Sequence, residues 1–161
     1  MTSTLGNTLQ SLALVFSVVS ALMLIAGSKR PSSRPARTGY AFVYASFALL
    51  TACAGIVLMG MLTEDYTLAY VVSNYPATDS PLQPLYRVSA VWAGRQGSLL
   101  LWTWLISAFA AAQAYRRRRA SEELTCAALG VTEIVVALFT ATLVFSASNN
   151  PFMATAAEYL N

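Results

Sequence analysis

The chain has 161 residues, of which 57% are hydrophobic and only 11% charged, with a net charge of +3. A soluble domain carries roughly 25% charged residues, so too few are present here to coat a water-exposed globule, and a membrane protein is expected. The ten Lys and Arg flank apolar runs and form no separate basic domain, which argues for membrane topology and against nucleic-acid binding.

In chain order, residues 9–27 form an uncharged apolar run long enough to cross ~30 Å of hydrocarbon. Met1 to Gln10 holds no Lys or Arg, and the positive charge follows the run, so it reads as an anchor and not as a cleaved signal. The loop 28–39 carries Lys29, Arg30, Arg34 and Arg37, with Pro31 and Pro35 separating two helices. A second span covers 40–62. A long polar loop, 63–98, follows. The third span, 99–115, is closed by the loop 116–124 with its run Arg116–Arg119, and the fourth, 125–146, leads into a polar tail. The expected architecture is an all-α integral membrane protein of four transmembrane helices in one membrane domain.

The two short loops hold eight of the ten basic residues, and the long loop holds only Arg87 and Arg95. Translocating positive charge is unfavourable, so both short loops are expected in the cytoplasm, with both termini and the long loop on the periplasmic side. Cys53 and Cys126 are far apart in apolar runs and read as small helix-packing residues. Glu133 lies inside the fourth span, as either a proton or ligand site or a side chain hydrogen-bonded to a neighbouring helix.

Within the long loop, Tyr66, Leu68, Tyr70 and Val72 alternate with other residues and suit a short extended segment, which Asn74-Tyr75-Pro76 ends. From Leu85 onwards Leu85, Ser89, Trp92 and Gln96 recur at helical spacing, predicting a short interfacial helix. Ala90, Ala93, Gly94 and Gly97 offer small residues against which a helix or a flat ligand can pack closely. Tyr86, Trp92 and Trp102 straddle the start of the third apolar run, as aromatic rings with polar tips do at a membrane–water boundary.

The stretch Tyr86-Arg-Val-Ser-Ala-Val-Trp-Ala-Gly-Arg-Gln-Gly-Ser-Leu-Leu-Leu-Trp102 resembles the N-terminal signature of the CcmF/NrfE family, the haem lyase subunits of cytochrome c maturation. The likeness runs through Ser89, Ala90, Trp92, Gly94, Gly97, Ser98 and Trp102. Asp65, Tyr70-Val71 and Asn74 upstream, and Ser148-Asn-Asn-Pro-Phe152 downstream, are similar to further landmarks of that family. Two departures stand out. Arg95-Gln96 replaces a His-Glu pair, and Ala93 replaces a glycine. The chain is also several times shorter than family members and lacks their tryptophan-rich, histidine-bearing segment, so it reads as a truncated or split N-terminal part.

The resemblance implies a haem lyase component that helps present haem for attachment to apocytochrome c at the outer face, without being catalytic alone. It implies haem as cofactor, with iron ligands from other chains, since this one has no histidine. The candidate haem or partner contacts are Tyr86, Arg87, Trp92, Gly94, Arg95, Gln96, Gly97, Ser98 and Trp102, the tryptophans stacking and the arginines pairing with a propionate. Expected partners are the rest of the haem lyase, a haem chaperone, apocytochrome c with its thiol-handling subunits, and the lipid bilayer of a bacterial or archaeal plasma membrane; nucleic acid is not among them. The competing expectation is a non-catalytic four-helix scaffold subunit of a transport or respiratory complex with no haem role. No nucleophile–base pair, paired carboxylates or phosphate-cradling loop supports a stand-alone enzyme.

Overall fold

The computed structural model describes residues 1–30, 33–77, 80–116 and 122–156. These residues form six α-helices: α1 (Thr2–Gly27), α2 (Arg34–Thr63), α3 (Ala69–Asn74), α4 (Gln83–Ala90), α5 (Arg95–Arg116) and α6 (Glu122–Phe145). A single 3-10 turn, Ala147–Asn149, follows. The helices α1, α2, α5 and α6 are long and apolar enough to cross a membrane. All four begin before the apolar stretch that marks them in the sequence, because a helix once nucleated extends into polar turns at one hydrogen bond per residue. Arg117–Arg119, most of the arginine run, and Pro31 lie outside the described residues.

Local chemistry sets the ends of α2. Pro35 occupies the first turn, where a missing N–H leaves nothing unpaired, and the Ser33 side chain accepts the Ala36 N–H at 3.5 Å. At the far end Glu64 takes a left-handed conformation, φ 60°, and sends its N–H back to the Gly60 carbonyl.

The four long helices form a ring: α1 packs on α2 and α6, and α5 packs on the same two. Each turns a stripe of buried residues inward at three- and four-residue spacing, such as Leu100, Thr103, Ser107, Ala110 and Ala114 of α5. Near the arginine end, small residues let backbones approach. Gly39 faces Leu24, Gly130 faces Ile25, and the Ser20 hydroxyl donates to the Gly39 carbonyl at 3.0 Å. Between α5 and α2, the Trp104 indole N–H donates to the Thr51 hydroxyl at 2.9 Å.

At the opposite end, which carries the 63–98 loop, the segment after α6 folds back across the ring. Phe152 is fully buried against Gly6 of α1. Its carbonyl accepts from the Ser3 hydroxyl at 2.6 Å and the Asn7 amide at 3.1 Å. Asn150 donates to Asn7 Oδ1 at 2.7 Å and accepts the Phe152 N–H at 2.8 Å. Beyond it, Leu68 and Ala154 form an antiparallel bridge, with Ala69 N–H on the Met153 carbonyl and Thr155 N–H on the Thr67 carbonyl.

The loop differs from the expectation of an extended stretch over Tyr66–Val72. Only Leu68 pairs as a strand would, and the chain then turns into α3. Of the alternating residues Leu68 and Tyr70 are buried but Tyr66 and Val72 are exposed, and Val71, outside the alternation, is buried beside Tyr70, as in a helical turn. The helical pattern from Leu85 is likewise interrupted: α4 ends at Ala90, residues 91–94 form a turn, and α5 starts at Arg95.

Candidate functional site

The turn between α4 and α5 is built around Tyr70 of α3. Its hydroxyl donates toward the carbonyls of Ala90 and Val91, each at 2.9 Å, and accepts the Gly94 N–H at 3.3 Å. Tyr70 thereby satisfies carbonyls that the end of α4 leaves without helical partners. Burial pushes its phenol pKa up. A side chain at Gly97 would collide with the Val91 carbonyl oxygen and the Tyr70 hydroxyl, and one at Gly94 would lie 2.7 Å from Asn74 Oδ1. The space left by the two glycines is therefore filled by Tyr70 and Asn74 of this chain. The Ser98 hydroxyl closes the turn by donating to the Trp92 carbonyl at 2.7 Å.

Arg87 leaves α4 toward the end of α2. Its guanidinium donates to Glu64 Oε1 at 2.6 Å and to the Leu62 carbonyl at 3.2 Å, and lies 5.1 Å from the centre of the Tyr75 ring. Tyr75 and Tyr66 also donate to the Glu64 carboxylate, at 3.0 and 3.3 Å. The Tyr75 hydrogen bond, then the charge and hydrogen bond of Arg87, hold the Glu64 pKa below its ordinary value despite partial desolvation. Of the Arg87 donors expected to meet a ligand carboxylate, one already serves the Glu64 carboxylate and one the Leu62 carbonyl, while Nε has no partner among the described residues.

The remaining candidates face outward. Trp92 is 45% exposed and Trp102 59%. Arg95 and Trp102 stand seven residues apart on α5, about two turns, and share its exposed face with Phe109. Arg95 donates one hydrogen bond, to the Ser148 carbonyl at 3.0 Å. Tyr86 lies exposed on α4 beside Leu82 and Leu85, and Gln96 is half-buried at the start of α5. Trp92, Arg95 and Trp102 are each exposed, the latter two on one face of α5, while Gly94 and Gly97 face Tyr70 and Arg87 is drawn to Glu64. Sequence reasoning missed Glu64 and Tyr75 as partners of Arg87; a lone Glu directly after an apolar run, eleven residues before a Tyr, is a weak signal for them.

Glu133 is fully buried in the ring. Its Oε2 accepts from the Ser46 hydroxyl across the bundle at 3.4 Å, and its Oε1 has no partner.

Histidine, the usual axial ligand of haem iron, is absent; Cys53, Cys126 and Met61 are fully buried, and Met59 is 55% exposed.

No family model matches the chain. It is 28% identical over 159 residues to the cytochrome c-type biogenesis protein CcmF of Haemophilus influenzae, a match covering 99% of this chain and 24% of the relative. It is 31% identical over 155 residues to CcmF of Pseudomonas fluorescens, covering 92% and 22%. It is 34% identical over 95 residues to the probable cytochrome c-type biogenesis protein NrfE of Escherichia coli, covering 59% and 17%. Among solved structures, that of the cytochrome c haem lyase CcmF superposes with a TM-score of 0.82 at 23% identity, over 99% of this chain and 26% of the other, which shows the fold. The chain spans about a quarter of the length of the CcmF proteins it matches. These matches make it a relative of the CcmF/NrfE cytochrome c-type biogenesis proteins, as the signature at Tyr86–Trp102 indicates.

Proposed function

From its kinship with the CcmF/NrfE cytochrome c-type biogenesis proteins, we propose that the chain is a haem lyase component that helps present haem for covalent attachment to apocytochrome c. Support comes from the match over 99% of the chain and from the exposed group Trp92, Arg95 and Trp102 inside the signature. In this reading the loop end faces the periplasm and the arginine end the cytoplasm, because eight of the ten basic residues lie in the two short loops. The relatives come from bacteria, and in this reading the membrane is a bacterial plasma membrane.

The role of this chain is positioning. Haem, when bound, supplies the vinyl groups that form thioethers. The chain would contribute two exposed indoles for contact with the haem ring and the Arg95 guanidinium, whose fork of donors suits a propionate. Partners supply the iron ligands: the rest of the haem lyase, a haem chaperone, and the thiol-handling subunits that deliver the apocytochrome.

Haem titration of the chain assembled with its partner subunits, followed by difference absorption, tests this. Trp92→Ala and Arg95→Ala should each weaken haem retention about fivefold to tenfold, ~1 to 1.4 kcal/mol. Unchanged affinity in both variants would remove the haem role.

A further inference from the structure

The interior of the four-helix ring contains polar atoms that the protein itself leaves unpaired. Both amide atoms of Gln10 and the Glu133 Oε1 lack hydrogen-bond partners, and both side chains are fully buried. They come from different helices and lie at different depths. The contacts Cys126 Sγ to the Leu24 carbonyl and Asn150 to Asn7 fix the antiparallel register of α6 on α1. That register sets Glu133 level with the region around Ser20, and Gln10 about 15 Å nearer the loop end.

The surrounding groups sharpen what is missing. The hydroxyls of Ser46, Thr103, Ser107 and Thr140 are buried, and each donates to a carbonyl one turn back in its own helix: Val43, Leu99, Trp104 and Val136. Ser46 has one proton, shared between Val43 and Glu133 Oε2. The hydroxyl protons are therefore engaged, and among these six groups the Gln10 amide and the Glu133 Oε1 are left without a partner. Buried polar atoms are paired in native proteins, with protein or with ordered water. In hydrocarbon no bulk solvent can replace a missing partner. A guest that completes this set must be small, and at Gln10 it must both accept and donate hydrogen bonds.

We propose that the ring interior binds water at two levels, one site at the Gln10 amide and one at Glu133 Oε1 beside Ser46. At Gln10 the water accepts from the amide N–H and donates to an amide oxygen or hydroxyl. At Glu133 it donates to Oε1. This proposal rests on the two orphaned side chains and is independent of any role in haem handling. A monovalent cation would use the same oxygens at Glu133, and the experiment separates the two.

The test is radiolytic hydroxyl-radical footprinting of the full chain in lipid nanodiscs, after mixing into ¹⁸O-labelled water. Ordered internal water generates radicals beside the side chains it touches, so the peptides containing Gln10 and Glu133 should be oxidised despite burial. They should take up the heavy isotope more slowly than exposed loop peptides. Gln10→Leu should abolish labelling around position 10 and leave position 133 unchanged, and Glu133→Leu should do the reverse. Glu133→Gln, which keeps an acceptor, should retain the label and serves if the leucine variant fails to assemble. Unlabelled interior peptides in the native chain, or labelling that survives both Gln10→Leu and Glu133→Leu, would overturn the proposal. So would loss of label in Glu133→Gln. Labelling at Glu133 that changes when sodium is replaced by choline would assign that site to a cation and overturn the water assignment there.

Discussion

At residue scale, two glycines with opposite surroundings give predictions of opposite sign. A Cβ at Gly97 meets the Val91 carbonyl oxygen and the Tyr70 hydroxyl, neither of which can swing aside without opening the turn. Gly97→Ala should cost about 1–3 kcal/mol through overpacking, read as a lower unfolding temperature in detergent. Gly55 lies within α2 with no atom near its missing side chain, so Gly55→Ala should be neutral or stabilise by up to ~1 kcal/mol. Glu64 makes a third case. Its folded pKa is lowered, so its contribution is present above the unfolded glutamate value, near 4.3, and is lost as pH falls through the folded value. The protection of the α4 amides, their exchange measured against the intrinsic rate at each pH, should therefore fall as the solution is acidified from pH 7 toward 3. Glu64→Gln should exchange faster at pH 7 and lose most of that pH dependence.

At the scale of elements, the segment after α6 acts as a strap whose hub is Asn150. One side chain joins α1, through Asn7, to the backbone of Phe152. Asn150→Ala should release it, raising exchange at the Ala69 and Thr155 amides about tenfold, equivalent to ~1.4 kcal/mol, while the four long helices keep their protection. This element was legible only in part. Ser148–Phe152 is visible in the sequence as a landmark, but nothing local shows that Phe152 returns to Gly6 at the other end of the chain. The same limit explains the loop: a short run of alternating apolar residues does not distinguish a strand from one helical turn whose neighbours bury most of it. The four long helices were legible because run length and absence of charge are properties of the segment itself. The pairing of Arg87 with Glu64 was not, since it depends on α4 folding back over the end of α2.

At the scale of the whole molecule, the ring order α1–α2–α5–α6 follows from which small residues meet which neighbours, information that hydropathy does not carry. Orientation in the membrane rests on the distribution of basic residues and can be checked directly. In a background without Cys53 and Cys126, a Ser28→Cys thiol should react with an impermeant maleimide only after the cytoplasmic face is opened, and an Ala77→Cys thiol should react in intact cells. The reverse pattern would invert the proposed topology.

The bridge between Leu68 and Ala154 has a bearing on how the molecule comes into being. A ribosome releases the loop after α2 long before it releases the residues that pair with it, and α5 and α6 must enter the bilayer in between. Until then the first turn of α1 lacks the Phe152 ring and carbonyl, and Ala69 has no Met153 to bond. The face that carries the 63–98 loop is thus unlatched until residues 150–155 emerge, and that stretch is the one that locks it.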